Sequence, residues 1–167
     1  MEIRTEENIK KLISILQDRN EMLSTMESCT GGLLASEITN NKSGSSEVFR
    51  YGLVTYANEF KIKNGVKAET IDKYSVYSQE VAEEMANQII DIADSDWGIG
   101  ITGQIGRLDP ENPGAEANTA YYCIANKKLN ISNKYKMHCD ENLTKKEKKE
   151  AIVSEVIKSL LDILENK

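Results

Sequence analysis

Residues 22–38 narrow the fold more than any other stretch. Met22 to Glu27 is short and partly alternating. Ser28-Cys29-Thr30-Gly31-Gly32 follows, and Leu33, Leu34, Ala35 and Ile38 then recur at helical spacing. That order predicts a strand, a tight turn and a helix. The paired glycines let the backbone turn sharply and let another molecule approach it closely.

The rest of the chain continues the alternation. Ile9, Leu12, Ile13 and Leu16 form one apolar face and predict a helix over residues 6–19. Residues 40–46 are polar with a glycine and read as a loop, and residues 48–57 are rich in Val, Tyr, Thr and Phe, as strands prefer. Helical turns are expected over 59–64 and 68–74. Ser78 predicts the cap of a helix over 78–93, with Val81, Met85, Ile89, Ile90 and Ala93 along one side. Residues 96–102 predict a buried strand, and 103–117, with Gly, Pro, Asn and Asp, a loop. Two strands over 118–125 and 131–139 are expected to pair through an Asn126-Lys127-Lys128 hairpin. A helix over 144–165 turns Ile152, Val156, Leu160, Leu161 and Leu164 inward. The expected fold is of the α/β class, a three-layer α/β/α sandwich with a mixed, mostly parallel sheet of about five strands.

A chain of 167 residues can bury a core without disulfides or metals, so one domain over residues 1–167 is expected. A formal charge of -6 repels polyanions, which argues against nucleic acids and anionic membrane surfaces as partners and still allows a local basic pocket for one phosphate. Aromatic residues are only 6% of the chain, too few for a base-stacking platform. Cys29, Cys123 and Cys139 are odd in number and widely spaced, and His138 is the only histidine. They read as free thiols of a cytoplasmic protein, with no metal site. Residues 1–11 alternate charges with Ile and Leu, unlike a signal peptide, and no run is apolar enough to span a bilayer.

The candidate chemistry lies at the strand-to-helix corner. Ser28 is placed to attack a carbonyl, and NH groups over Cys29, Thr30, Gly31 and Gly32 can hold an anion or a developing oxyanion. A Ser or Thr before a helix is more often simply its cap, and Ser28 or Thr30 can serve as one. No glycine stands two positions before Ser28, so this is not the G-x-S-x-G elbow. A serine nucleophile needs a base. His138 sits on an expected strand, where a lone histidine is more often structural. The alternative is a lysine whose pKa is lowered by burial or by a neighbouring charge, and Lys61, where a strand runs into a polar turn, is that candidate. Cys29 is a second possible nucleophile beside Ser28.

Glu27 to Gly32, Gly44-Ser45-Ser46 with Phe49, and the run Gly52-Leu53-Val54-Thr55-Tyr56-Ala57-Asn58-Glu59-Phe60-Lys61 together resemble the C-terminal domain of the competence-damage-inducible CinA family. Gly65-Val66, Val76-Tyr77-Ser78 and Gly100-Ile101-Thr102-Gly103 continue the similarity in order, so that it runs from about residue 25 to residue 106. Stand-alone members of that family are nicotinamide mononucleotide amidohydrolases, and the resemblance implies such a stand-alone member. It implies hydrolysis to nicotinic acid mononucleotide and ammonia with no metal or organic cofactor. Ser28 would be the nucleophile, Lys61 the base, and Tyr56 and Thr102 orienting residues. Cys29, Thr30, Gly31, Gly32, Ser45, Ser46, Asn58 and Gly103 would contact substrate. Family habit further implies a homodimer or larger homo-oligomer.

The chain departs from the family pattern in two places. Gly103-Gln104-Ile105-Gly106-Arg107 stands where the family carries a Gly-Ile-Ala-Gly-Pro stretch, and residues 141–149 lack the family's Gly-Asp-Arg element. Lys145, Lys148 or Arg107 could replace the missing arginine as a point charge. The run Lys145 to Lys149 reads first as a solvated helix face. Other readings are a hydrolase of a different small amide, or a non-catalytic binding protein on the same scaffold.

Overall fold

The computed structural model describes residues 3–42 and 44–167. In chain order the elements are α1 (Ile3–Arg19), β1 (Leu23–Glu27), α2 (Leu33–Thr39), α3 (Ser45–Val48), β2 (Phe49–Val54), α4 (Asn58–Lys63), α5 (Ala68–Tyr74), α6 (Gln79–Ala93), β3 (Trp97–Gln104), β4 (Thr119–Asn126), β5 (Ile131–His138) and α7 (Lys145–Glu165). The five strands form one mixed sheet in the order β2-β1-β3-β4-β5. β1 is parallel to β2 and β3, and β4 is antiparallel to β3 and β5, so β4 alone runs against the rest. This is the expected α/β class with a mixed five-stranded sheet.

Each face of the sheet is covered by helices, so that β1, β3 and β4 are buried on both sides. On one face α1, α2 and α7 share a core with the sheet that includes Leu12, Leu16, Leu34, Ile99, Ile101 and Leu160. Each such side chain, fully buried, contributes roughly 1.5–3 kcal/mol relative to leaving it in water. On the other face α6 packs Met85 and Ile89 onto Met26, and Ala82 and Ala86 onto Cys123. Contact there is close. A Cβ at Gly98 or Gly100 would stand 2.2 Å from the backbone oxygen of Ala86 or Ala82 respectively.

The caps fix where the long helices begin. Ser78 accepts a hydrogen bond from the Val81 NH at 3.2 Å, and Thr144 and Glu147 form a reciprocal capping box. Removing either cap costs about 1 kcal/mol. Among the described residues no helix is long and apolar enough to cross a membrane.

Three boundaries differ from the sequence reading, and each matters for the site. The expected loop over 40–46 includes Ser43, which lies outside the described residues, while Ser45 and Ser46 open the short α3. Strand β2 stops at Val54 because Ala57 already leads into α4. Strand β3 runs on through Gly103 and Gln104, expected as loop, because Ala120 and Thr119 of β4 pair with them.

Candidate active site

The parallel pairing of β1 with β2 builds the centre of the site. Glu27 is opposite Val54, and the Thr55 NH donates to the Glu27 carbonyl at 2.9 Å, so both strands end at the same rim. Ser28 follows β1 directly, its NH donating to the Ile101 carbonyl at 2.9 Å. One turn of α4 beyond β2 carries Lys61, a 1%-exposed lysine. Its Nζ donates to Ser28 Oγ at 2.9 Å, to the Thr55 carbonyl at 2.6 Å and to the Tyr56 carbonyl at 3.2 Å.

This geometry serves two protonation states. As an ammonium, Lys61 places one proton on each of three oxygens. As a neutral amine it keeps its two N–H bonds for the carbonyls and turns its lone pair to the Ser28 hydroxyl, which then becomes the donor. Burial lowers the Lys61 pKa from the ordinary lysine value to about 8, against a smaller opposing influence of Cys29. At pH 7 about a tenth of the molecules then carry the neutral amine.

The turn after Ser28 is held by Glu27, whose side chain is fully buried. Its carboxylate accepts from Thr30 Oγ1 at 2.6 Å, the Leu34 NH at 3.1 Å and the Ala35 NH at 2.9 Å. Gly31 and Gly32 adopt φ of 61° and 91°, the left-handed conformation the turn requires. The start of α2 is therefore already occupied by the chain's own anion. Among the described residues the NH groups of Cys29 and Thr30 take no part in these bonds.

A cavity of about 240 Å³ opens over Ser28 and Lys61. Cys29, Tyr56, Asn58 and Gly103, all expected at the site, line it. Tyr56, a 60%-exposed residue, contributes its carbonyl to Lys61, and its hydroxyl accepts from Lys145 Nζ at 3.2 Å. Thr102 does not bond to the reactive pair as expected, because its hydroxyl donates to the Val76 carbonyl at 3.0 Å. Thr30, Gly31 and Gly32 face a separate depression beside Lys149, since Glu27 draws Thr30 inward. Ser45 is not at the cavity either; its hydroxyl donates to the Asn41 carbonyl, and Ser46 shares its short helix. His138 lies against Thr119 on the β5 edge and is not part of the cavity lining.

The cysteine alternative fares poorly. Burial first, then Cys139 and Glu27, pushes the Cys29 thiol up to about 12, which keeps it protonated and weakly nucleophilic.

Several contributors escaped the sequence reading. Glu27 was given no role of its own there, although a carboxylate just before a helix start is a capping signal. Arg107 and Lys145, two of the three residues expected as stand-ins for the missing arginine, do line the cavity. Lys148, expected in water, is 7% exposed and donates to Asn118 Oδ1 at 2.8 Å, tying the start of α7 to the start of β4. The 103–117 connection is knotted by Asp109, which accepts from the Tyr77 hydroxyl, the Asn112 amide and the Glu111 NH.

A serine hydroxyl against a buried, low-pKa lysine at the end of parallel strands defines an α/β protein with the parts of a Ser–Lys nucleophilic site. The CinA C-terminal domain model matches residues 5–164, and the chain belongs to that family. A CinA-like protein of Kosmotoga olearia is 44% identical over 112 residues, 65% of this chain and 27% of that protein. The chain thus spans about a quarter of the length of such relatives. Among solved structures, the competence or damage-inducible protein from Enterobacter asburiae superposes with a TM-score of 0.88 at 29% identity, covering 96% of this chain and 98% of that one. A CinA superfamily protein from Escherichia coli gives 0.87 at 29% identity, covering 95% and 90%.

Proposed function

We propose that this chain is an amidohydrolase that converts nicotinamide mononucleotide to nicotinic acid mononucleotide and ammonia. The observation that carries the reading is the 2.9 Å contact between Ser28 Oγ and a lysine amine stripped of water. Ser28 Oγ attacks the carboxamide carbon while Lys61 takes the hydroxyl proton. The oxyanion is held by the NH of Cys29, which lines the cavity beside Ser28. As the C–N bond breaks, Lys61 returns that proton to the leaving nitrogen, which departs as ammonia and leaves an ester on Ser28. Water, deprotonated by Lys61, then attacks the ester; the carboxylate leaves, and Ser28 regains its proton.

The cationic rim supports a phosphorylated substrate. Arg107 and Lys145 line the same cavity as the reactive pair and supply the positive charge that the family's Gly-Asp-Arg element would otherwise bring. The homo-oligomer implied by family habit would form along β2, an edge strand beside which Tyr51, Val54, Phe60 and Ile62 are exposed. The buried thiols of Cys29, Cys123 and Cys139 suit a reducing, cytoplasmic setting.

The direct test incubates the purified protein with nicotinamide mononucleotide and follows nicotinic acid mononucleotide by chromatography, with Ser28→Ala and Lys61→Met in parallel. Product from the unmodified chain alone is expected. Equal product from Ser28→Ala would remove Ser28 from the chemistry, and no product from any of the three would remove the activity.

A further inference from the structure

Gln104 closes β3 with a side chain only 4% exposed. Among the described residues neither its Oε1 nor its Nε2 has a hydrogen-bond partner. A buried donor and acceptor left unpaired are costly, and folds keep such groups where a ligand completes them. Gln104 lines the cavity over Ser28 and Lys61.

Sheet register places it on the nucleophile's side. Met26 is opposite Gly100, and both face α6. Two residues further along each strand, Ser28 and Thr102 share that face, as the Thr102 bond to Val76 requires. Gln104 follows on the same face about 7 Å beyond Thr102, past the end of β1. Thr102 is committed to the Val76 carbonyl and Lys61 to Ser28 and two carbonyls, while the Thr55 hydroxyl, buried beside Lys61, has no partner among the described residues but, unlike Gln104, does not line the cavity.

We propose that Gln104 is the residue that recognises the scissile amide, its Oε1 accepting an N–H of the substrate carboxamide and its Nε2 donating to the carbonyl oxygen. The proposal rests on the amidohydrolase reading and adds a selectivity to it. A carboxamide offers a donor and an acceptor at the spacing of the Gln104 amide, so the two pair through parallel hydrogen bonds. The carboxylate product has no N–H to give and sets an oxygen against Oε1. Lys61, Arg107 and Lys145 all favour the anionic product, and Gln104 supplies the opposing preference that favours substrate and speeds release.

The test separates binding from turnover. In a Ser28→Ala background, calorimetric titration with nicotinamide mononucleotide and with nicotinic acid mononucleotide gives the amide-to-acid affinity ratio. Gln104→Leu, of similar volume and needing no partners, is expected to raise the melting temperature while lowering that ratio about 30-fold. With Ser28 intact, Gln104→Leu should lower kcat/KM by a similar factor and leave the pH midpoint in place. Gln104→Met is the second variant and should behave alike. An unchanged ratio in a chain that still releases ammonia would overturn the role of Gln104 and leave the amidohydrolase standing. A Gln104-dependent preference for the amide in a chain that releases none would do the reverse. Binding of neither nucleotide would overturn both.

Discussion

The two walls of the cavity are built by different means. On one wall, Ser28 and Lys61 are held by backbone groups: the Ile101 carbonyl fixes the serine's NH, and the Thr55 and Tyr56 carbonyls fix the lysine's amine. On the other wall, the 103–117 connection and the start of α7 are held by side chains, chiefly Asp109 to Tyr77 and Lys148 to Asn118. Backbone positions are set by strand register and survive changes of residue type. Side-chain ties are lost with a single substitution. The Ser28–Lys61 pair therefore sits where the fold is least negotiable, and the cationic rim where it is most so.

Substitutions can break that contrast, beginning where the effect is largest. Ser28→Ala or Lys61→Met should lower turnover about ten-thousandfold with an unchanged circular dichroism spectrum; comparable activity in either variant would mean the backbone-held wall is not the reactive one. Glu27→Gln presents an amide donor to the NH groups of Leu34 and Ala35. It should cost about 2 kcal/mol in urea denaturation and roughly thirtyfold in activity. Lys145→Ala and Arg107→Ala should each raise KM for the mononucleotide about tenfold while leaving kcat and the dephosphorylated riboside almost untouched. A large fall in kcat would show that the side-chain wall also takes part in the chemistry.

The smallest effect sharpens the picture of Lys61 alone. Its folded pKa, about 8, lies below the ordinary lysine value of 10.5. In the proposed mechanism the active amine is the deprotonated form, so kcat/KM should rise about fivefold from pH 7 to pH 8, about twofold more by pH 9, and then level off. The stability sign follows from the same shift. Between pH 8 and 10.5 the unfolded lysine binds more protons than the folded one, so this residue's contribution to stability rises with pH across that window. Denaturation of the unmodified chain against Lys61→Met at pH 7.5 and 9.5 checks the direction.

The scaffold was legible wherever local signals agree. The Ser78 cap and the apolar spacing that follows predict α6 almost to the residue, and residues 68–74 form α5 as expected. Contacts that depend on register were not legible. Ser28 and Lys61 are 33 residues apart and meet only because β1 and β2 pair in parallel, which no local pattern encodes; the family resemblance, not the spacing, singled them out. Lys148 belongs to a lysine run that looks solvated until Asn118 arrives from a distant loop. Gln104 read as loop because its strand pairing is with β4, supplied after a 14-residue connection. Thr102 and Thr30 were expected at the chemistry, yet their hydroxyls donate instead to the Val76 carbonyl and the Glu27 carboxylate.

The lone reversal of β4 has a consequence for how such a protein can change. Because β1, β2 and β3 all run the same way, their ends converge on one rim, and the link from β3 to β4 must double back across it. That single crossing segment carries Arg107 and Asp109 and leaves directly from Gln104. One stretch of chain can thus be rewritten to change what the cleft admits, while the Ser28–Lys61 pair beneath stays as the strands set it.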